Sequence, residues 1–212
     1  MESTEKARSE VGCRAFCINS AKLPHMMYFI GGAPRLGKSI LATKLLNDRG
    51  ISWLSTDALC ATRRGADMQF SNVMHLETAQ IVQRQFNSAH MMAETLRQFI
   101  EKQLKTQDDF TLEGVHLLPT LVGHIQKIRP TEVKNVFVVS TDKNLALLGL
   151  RADMREENWM RGASEEMQSA MADFVVGYSK EIKRQAEEEG LAVFERTENF
   201  QKDVEAMMRL LQ

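Results

Sequence analysis

Short apolar runs alternate with longer amphipathic stretches through most of the chain. Five runs rich in β-branched, aromatic or aliphatic residues read as strands: Met26–Ile30, Ile51–Ser55, Phe110–Leu112, Val133–Ser140 and the LAVFER segment from Leu191. The stretches Ser39–Arg49, Leu76–Leu104, Leu118–Ile128, Lys143–Asp153, Ser164–Glu189 and Phe200–Leu211 carry apolar residues three and four apart, the spacing of one helix face. Gly50 and Gly190 stop helices just before the second and fifth strands. Strand and helix in alternation predict a parallel sheet covered on both faces. No internal repeat or linker interrupts the pattern, so one α/β domain is expected over residues 25–212, after a poorly ordered or peripheral lead at 1–24 that ends at Pro24.

The chain of 212 residues is long enough to bury a sizeable core. Lys and Arg number 27 against 28 Asp and Glu, so no overall basic excess draws the protein to nucleic acid or an anionic membrane. Attraction for an anion must be local. Cys13, Cys17 and Cys60 form neither a disulfide framework nor a metal-ligand spacing with the histidines, which makes a reducing, cytoplasmic compartment the default expectation. No apolar run approaches a membrane span, and Glu2, Glu5 and Glu10 argue against a secretory or transit leader.

One stretch carries specific chemistry. Gly32, Gly37, Lys38 and Ser39 fit G-x-x-x-x-G-K-[ST] between the first strand and the first helix, the context the motif requires. The expected cradle runs Gly32, Ala33, Pro34, Arg35, Leu36, Gly37, Lys38, Ser39 and Ile40. Its glycines let backbone N–H groups turn inward toward phosphate, and the helix beginning near Lys38 adds the positive end of its dipole. Lys38 is expected to reach the β and γ phosphates of a nucleoside triphosphate, with Ser39 in the shell of a magnesium ion. Pro34 has no N–H to donate. Arg35 occupies a place where many small-molecule kinases carry glycine, and it either projects over the phosphates or is a solvated loop residue.

Function in a parallel sheet gathers beyond the carboxyl ends of the strands. The second strand runs out into STDALC and the third into LEGVHLLP, placing Asp57 and Glu113 at that rim. A carboxylate there can take the proton of an attacking hydroxyl, orient that hydroxyl, or hold magnesium. Asp57 could instead cap the helix after it, and Glu113 could simply end a strand. His116 reads as structural or substrate-adjacent, packed beside Leu117 and Leu118, while Arg63 and Arg64 either grip an anionic acceptor or are solvated. After the fourth strand, Arg151 and Arg155 are four apart and share one helix face, with Arg161 beside Gly162. Arginines that arrive on closure would stabilise phosphoryl transfer and help exclude water, whereas the bland alternative is a charged surface paired with Asp153, Glu156 and Glu157.

The segments IGGAPRLGKS, STD and LEGVHLLP resemble those of the 2-phosphoglycerate kinase-like P-loop kinases. More broadly they resemble the small kinases with an adenylate-kinase-type sheet, among them shikimate and gluconate kinases, chloramphenicol phosphotransferase and zeta toxins. The likeness runs from about Met26 to Arg161, with EGVHLLP pointing to the 2-phosphoglycerate kinase-like branch. It implies a three-layer P-loop NTPase fold with a five-stranded parallel sheet ordered 2-3-1-4-5. It also implies an arginine-bearing lid at about 151–163 and an acceptor carboxylate, which falls on Asp57.

The expected protein is therefore a kinase using ATP and Mg2+ to phosphorylate a hydroxyl of a small molecule. Lys38, Asp57, Arg151 and Arg155 are the candidate catalytic residues, with Ser39 and Glu113 toward the metal. A nucleoside or nucleotide kinase would differ only in its acceptor. A nucleotide-dependent switch protein would keep the loop and be indifferent to Asp57. A kinase of nucleic-acid 5′-hydroxyls is disfavoured by the charge balance.

Overall fold

Strand β1 (Met27–Gly32) is buried at every position and lies at the centre of a parallel sheet. The structure is a computed structural model that describes residues 25–64, 76–106, 108–152, 160 and 162–212. The expected lead at 1–24, and Arg155 and Arg161 of the expected lid, lie outside the described residues. With β2 (Ser52–Ser55), β3 (Phe110–Glu113), β4 (Val133–Val139) and β5 (Val193–Glu195), the sheet order is β2-β3-β1-β4-β5. Every pairing is parallel, so each strand returns through a crossover. The near-continuous burial of β1 and β4 is what a strand covered on both faces requires.

Helices α1 (Lys38–Arg49) and α7 (Phe200–Leu210) pack together on the sheet, whereas α6 (Glu165–Glu188) gathers a second layer of α3 (Thr78–Gln103), α4 (Pro119–Ile128) and α5 (Lys143–Ala152). One hydrophobic core joins the layers, with Leu41 and Leu45 from α1, Phe29 and Phe137 from the sheet, and Phe174 and Tyr178 from α6 all buried. Local signals end these helices where the sequence predicts. Gly50 turns left-handed and donates to the Leu46 carbonyl, Pro119 opens α4, and Ser164 caps α6 by accepting from the Met167 N–H. Among the described residues, no helix is long and apolar enough to cross a membrane.

Two boundaries differ from the periodic reading in ways that matter for the site. Gly31 and Gly32 continue β1, pairing with Phe137 and Val138, because only a side-chain-free backbone fits there. A Cβ on Gly31 would sit 2.3 Å from the Phe137 ring. Helix α2 (Thr56–Arg64), the helix expected after Asp57, starts one residue before it and so takes Asp57 into its first turn.

Candidate active site

The phosphate loop leaves β1 at Gly32, whose φ of +114° and 2.0 Å approach of a built Cβ to the Val138 carbonyl admit only glycine. It enters α1 through Gly37, also left-handed at +96°. Arg35 is left-handed as well, with φ 63°, a conformation that glycine adopts more readily. Its carbonyl lies so close to α5 that a Cβ on Gly149 would be 2.8 Å away. The Leu41 N–H bonds the Gly37 carbonyl at 3.0 Å, which leaves the N–H groups of Lys38, Ser39 and Ile40 outside the intrahelical ladder and suited to phosphate oxygens. Lys38 is buried, and its Nζ donates to the Ala33 carbonyl at 2.6 Å across the loop. Burial lowers the Lys38 pKa and Arg35 adds to the effect, against the opposing pull of Glu113 and Asp57.

The rim beside the loop is built at the ends of β2 and β3, next to β1. Ser55, Glu113 and Ile30 stand in register on β2, β3 and β1. Glu113 is therefore the last residue of its strand, and it is buried at 3% exposure. Its Oε1 accepts from the Ser39 hydroxyl at 3.2 Å. Burial and the nearby Asp57 charge raise the Glu113 pKa, countered by Lys38 and the hydroxyls of Ser55 and Ser39.

Asp57 does not cap its helix. The Ser55 hydroxyl accepts the Asp57 N–H at 3.2 Å, which leaves the Asp57 carboxylate to take Nδ1 of His116 at 3.1 Å. The carboxylate is 61% exposed, whereas the histidine is 8% exposed. Desolvation opposes its ionisation, but the hydrogen bond and electrostatic pull of His116, aided by Lys38, outweigh it and hold Asp57 below the ordinary carboxylate value. His116 is buried beside Leu117 and Leu118 as expected, yet both its ring nitrogens are engaged. Nε2 meets Ser88 Oγ of α3 at 3.0 Å.

The turn bearing these groups is held from below. The buried Tyr178 hydroxyl donates to the Val115 carbonyl at 2.6 Å, and the Gly114 N–H donates to Ile30 at 3.1 Å. Gly114 has φ +142°, and a Cβ there would lie 1.9 Å from Thr56 Oγ1. Gly114→Ala should therefore cost at least about 2 kcal/mol through strain and overpacking, read as a lower urea midpoint. An unchanged midpoint would contradict the described turn.

Ser39 and Glu113 present oxygen donors of the kind magnesium takes beside phosphates and water. Among the described residues no group of three or more His, Cys, Asp or Glu is placed to hold a metal by itself. Arg151 lies exposed in the last turn of α5, where its Nε donates to Gln168 Oε1 of α6 at 2.8 Å. Arg63 and Arg64 form the last turn of α2.

Three contributors escape the sequence reading. Ser88 sits mid-helix without a motif. Arg196 donates to the Leu36 carbonyl of the loop at 3.1 Å, pairs with buried Asp203 at 2.9 Å, and lies over the Phe200 ring at 4.6 Å. Phe200 in turn backs Gly37, where a Cβ would meet the ring at 2.6 Å.

No protein-family model matches the chain, and no curated protein matches it in sequence. Solved structures do match in shape. A sugar kinase from a Janibacter species superposes with a TM-score of 0.51 at 12% identity, covering 89% of this chain and 95% of that one. A shikimate kinase from Acinetobacter baumannii, in complex with shikimate, gives 0.50 at 13% identity over 90% of this chain and 94% of its own. At such identities the likeness is one of fold. The chain has the three-layer α/β P-loop fold, with its strands in the order 2-3-1-4-5.

Proposed function

We propose that the protein is a magnesium-dependent kinase that transfers the γ-phosphoryl group of ATP to a hydroxyl of a small molecule. The observation that carries this reading is the Asp57 carboxylate, exposed, kept ionised, and on the same rim as Lys38, Ser39 and Glu113. The cradle from Gly32 to Ile40 binds the triphosphate through backbone N–H groups, and Lys38 draws charge off the β and γ phosphates. Ser39 and Glu113 would hold magnesium, which when bound would neutralise charge on the phosphate oxygens. Asp57 orients the acceptor hydroxyl and takes its proton as the oxygen bonds to the γ-phosphorus and the bond to the β–γ bridging oxygen breaks. ADP leaves with that bridging oxygen.

Arg151 and Arg155, in a lid at about 151–163, complete the site on closure and help exclude water. The STD and LEGVHLLP segments that build the acceptor rim support an acceptor like that of the 2-phosphoglycerate kinase-like branch. The kinase domain spans residues 25–212, and the enzyme works in the cytoplasm.

The test is magnesium-dependent ADP release against glycerate phosphates, sugar acids, nucleosides and aminosugars. An acceptor that stimulates release well above a Lys38→Ala blank establishes the kinase. Asp57→Asn should then lower kcat on the order of 100-fold or more while ATP affinity, measured by calorimetry, stays put. Tight ATP binding with no stimulation by any acceptor, and indifference to Asp57→Asn, would instead favour a nucleotide switch.

A further inference from the structure

Asp57, His116 and Ser88 form a continuous hydrogen-bonded chain from the rim of the sheet into the body of α3. Asp57 Oδ1 meets His116 Nδ1 at 3.1 Å, and His116 Nε2 meets Ser88 Oγ at 3.0 Å. The residue types match a serine hydrolase triad, but the accessibility runs the other way. Ser88 is 2% exposed in mid-helix and cannot attack anything, whereas the carboxylate end is open. The working end of the chain is Asp57.

We propose that His116 and Ser88 are positioning residues that lock the Asp57 carboxylate in the orientation needed to receive the acceptor hydroxyl. This rests on the kinase reading above. A carboxylate accepts only, so the Asp57 contact demands a proton on Nδ1. In neutral His116 that leaves Nε2 to accept from the Ser88 hydroxyl, and every partner in the chain is satisfied. An open carboxylate in the first turn of α2 would otherwise sample several rotamers, each aiming its oxygens differently. The chain fixes one oxygen and presents the other.

The support beneath His116 is rigid. Its ring is buried, its backbone N–H approaches Thr56 Oγ1 at 3.4 Å, and the preceding Val115 carbonyl is held by Tyr178. Thr56 is the residue just before Asp57, so the same turn grips both ends of the contact. Ser88 brings in α3, an element with no other bond to the Asp57 turn among the described hydrogen bonds. The orientation of Asp57 is thereby coupled to the seating of α3.

Two readouts test this. On protein labelled with 15N-histidine, the ring-nitrogen NMR signals of His116, assigned by their loss in His116→Asn, should show a protonated Nδ1. A neutral ring carrying its proton on Nε2 would overturn the chain. With the acceptor found by the panel above, His116→Ala should lower kcat on the order of 100-fold, the scale of a small misplacement of a reacting group, with the ATP dissociation constant unchanged. His116→Asn, whose amide N–H can replace Nδ1–H toward Asp57, should recover most of that loss. Ser88→Ala should fall between wild type and His116→Ala.

A merely structural histidine would give a different pattern: lower melting temperature and weaker ATP binding, with no rescue by asparagine. That pattern, or unchanged kcat in His116→Ala, would overturn the proposal while the Asp57→Asn result leaves the kinase reading standing. A wild-type enzyme that no acceptor stimulates would sink the kinase reading and the positioning role with it, even if the NMR signature shows the chain itself intact.

Discussion

Lys38→Ala should reduce phosphoryl transfer to background, a loss of at least about 100-fold, and weaken MgATP binding measured by calorimetry. The ammonium group is buried on the inner side of the loop, where water does little to screen it, so its attraction for phosphate oxygens is far stronger than at a surface. It is also held in place, bonded to the Ala33 carbonyl across the loop. Both properties are lost together in alanine. Lys38→Arg should fail nearly as badly, since the planar guanidinium is larger and cannot occupy a buried position shaped for a compact charge. The fold itself should survive, because β1 and α1 are packed by Phe29, Leu41 and Leu45 rather than by this side chain. Near-wild-type turnover in a folded Lys38→Ala protein would remove the basis for every role assigned to the loop.

Arg196→Met should produce the largest stability loss among single substitutions near the site, about 3–5 kcal/mol. Its guanidinium is 10% exposed and its partner Asp203 only 3% exposed, so removing the cation leaves a carboxylate buried without its charge partner. Asp203 would keep the Thr197 N–H at 2.9 Å and the Thr197 hydroxyl at 2.7 Å, which softens but does not cancel the loss. The Leu36 carbonyl would lose its donor at the same time. For a domain of this size the cost corresponds to a fall in melting temperature of roughly 10 °C, visible by calorimetry. ATP affinity should fall as well, because Arg196 and Phe200 support the outer side of the loop that Lys38 spans from within. A shift of under about 1 kcal/mol would show that this ion pair is solvated in practice.

The fold was legible because strand–helix alternation and the glycine loop point to one architecture and agree with each other. The loop, Asp57 and Glu113 were legible for a related reason: the strand ends of a parallel sheet mark where chemistry gathers, whatever the distant parts of the chain do. What the sequence hid depends on partners far away along it. His116 looks like a packed histidine until Ser88, 28 positions earlier, and Asp57, 59 positions earlier, are brought to its two nitrogens. Arg196 looks like the end of a last strand until it bonds Leu36, 160 positions back. The helix-cap alternative for Asp57 failed for a local reason, since Ser55 was there to do that job.

The placement of β1 between β3 and β4 has a consequence for how the molecule comes into being. Neither flanking strand is near in sequence: Met27 pairs with Phe110 on one side and Val133 on the other. Loop-closure entropy must be met before either pairing forms, and until then the glycine loop is without its cradle. Gly32 needs the Val138 backbone to set its turn, and Ser39 needs Glu113. A nascent chain carrying the whole phosphate motif but released before Val138 holds the letters of the site without its geometry. The geometry of the candidate site is therefore completed late in folding, with the central strand already flanked on both sides.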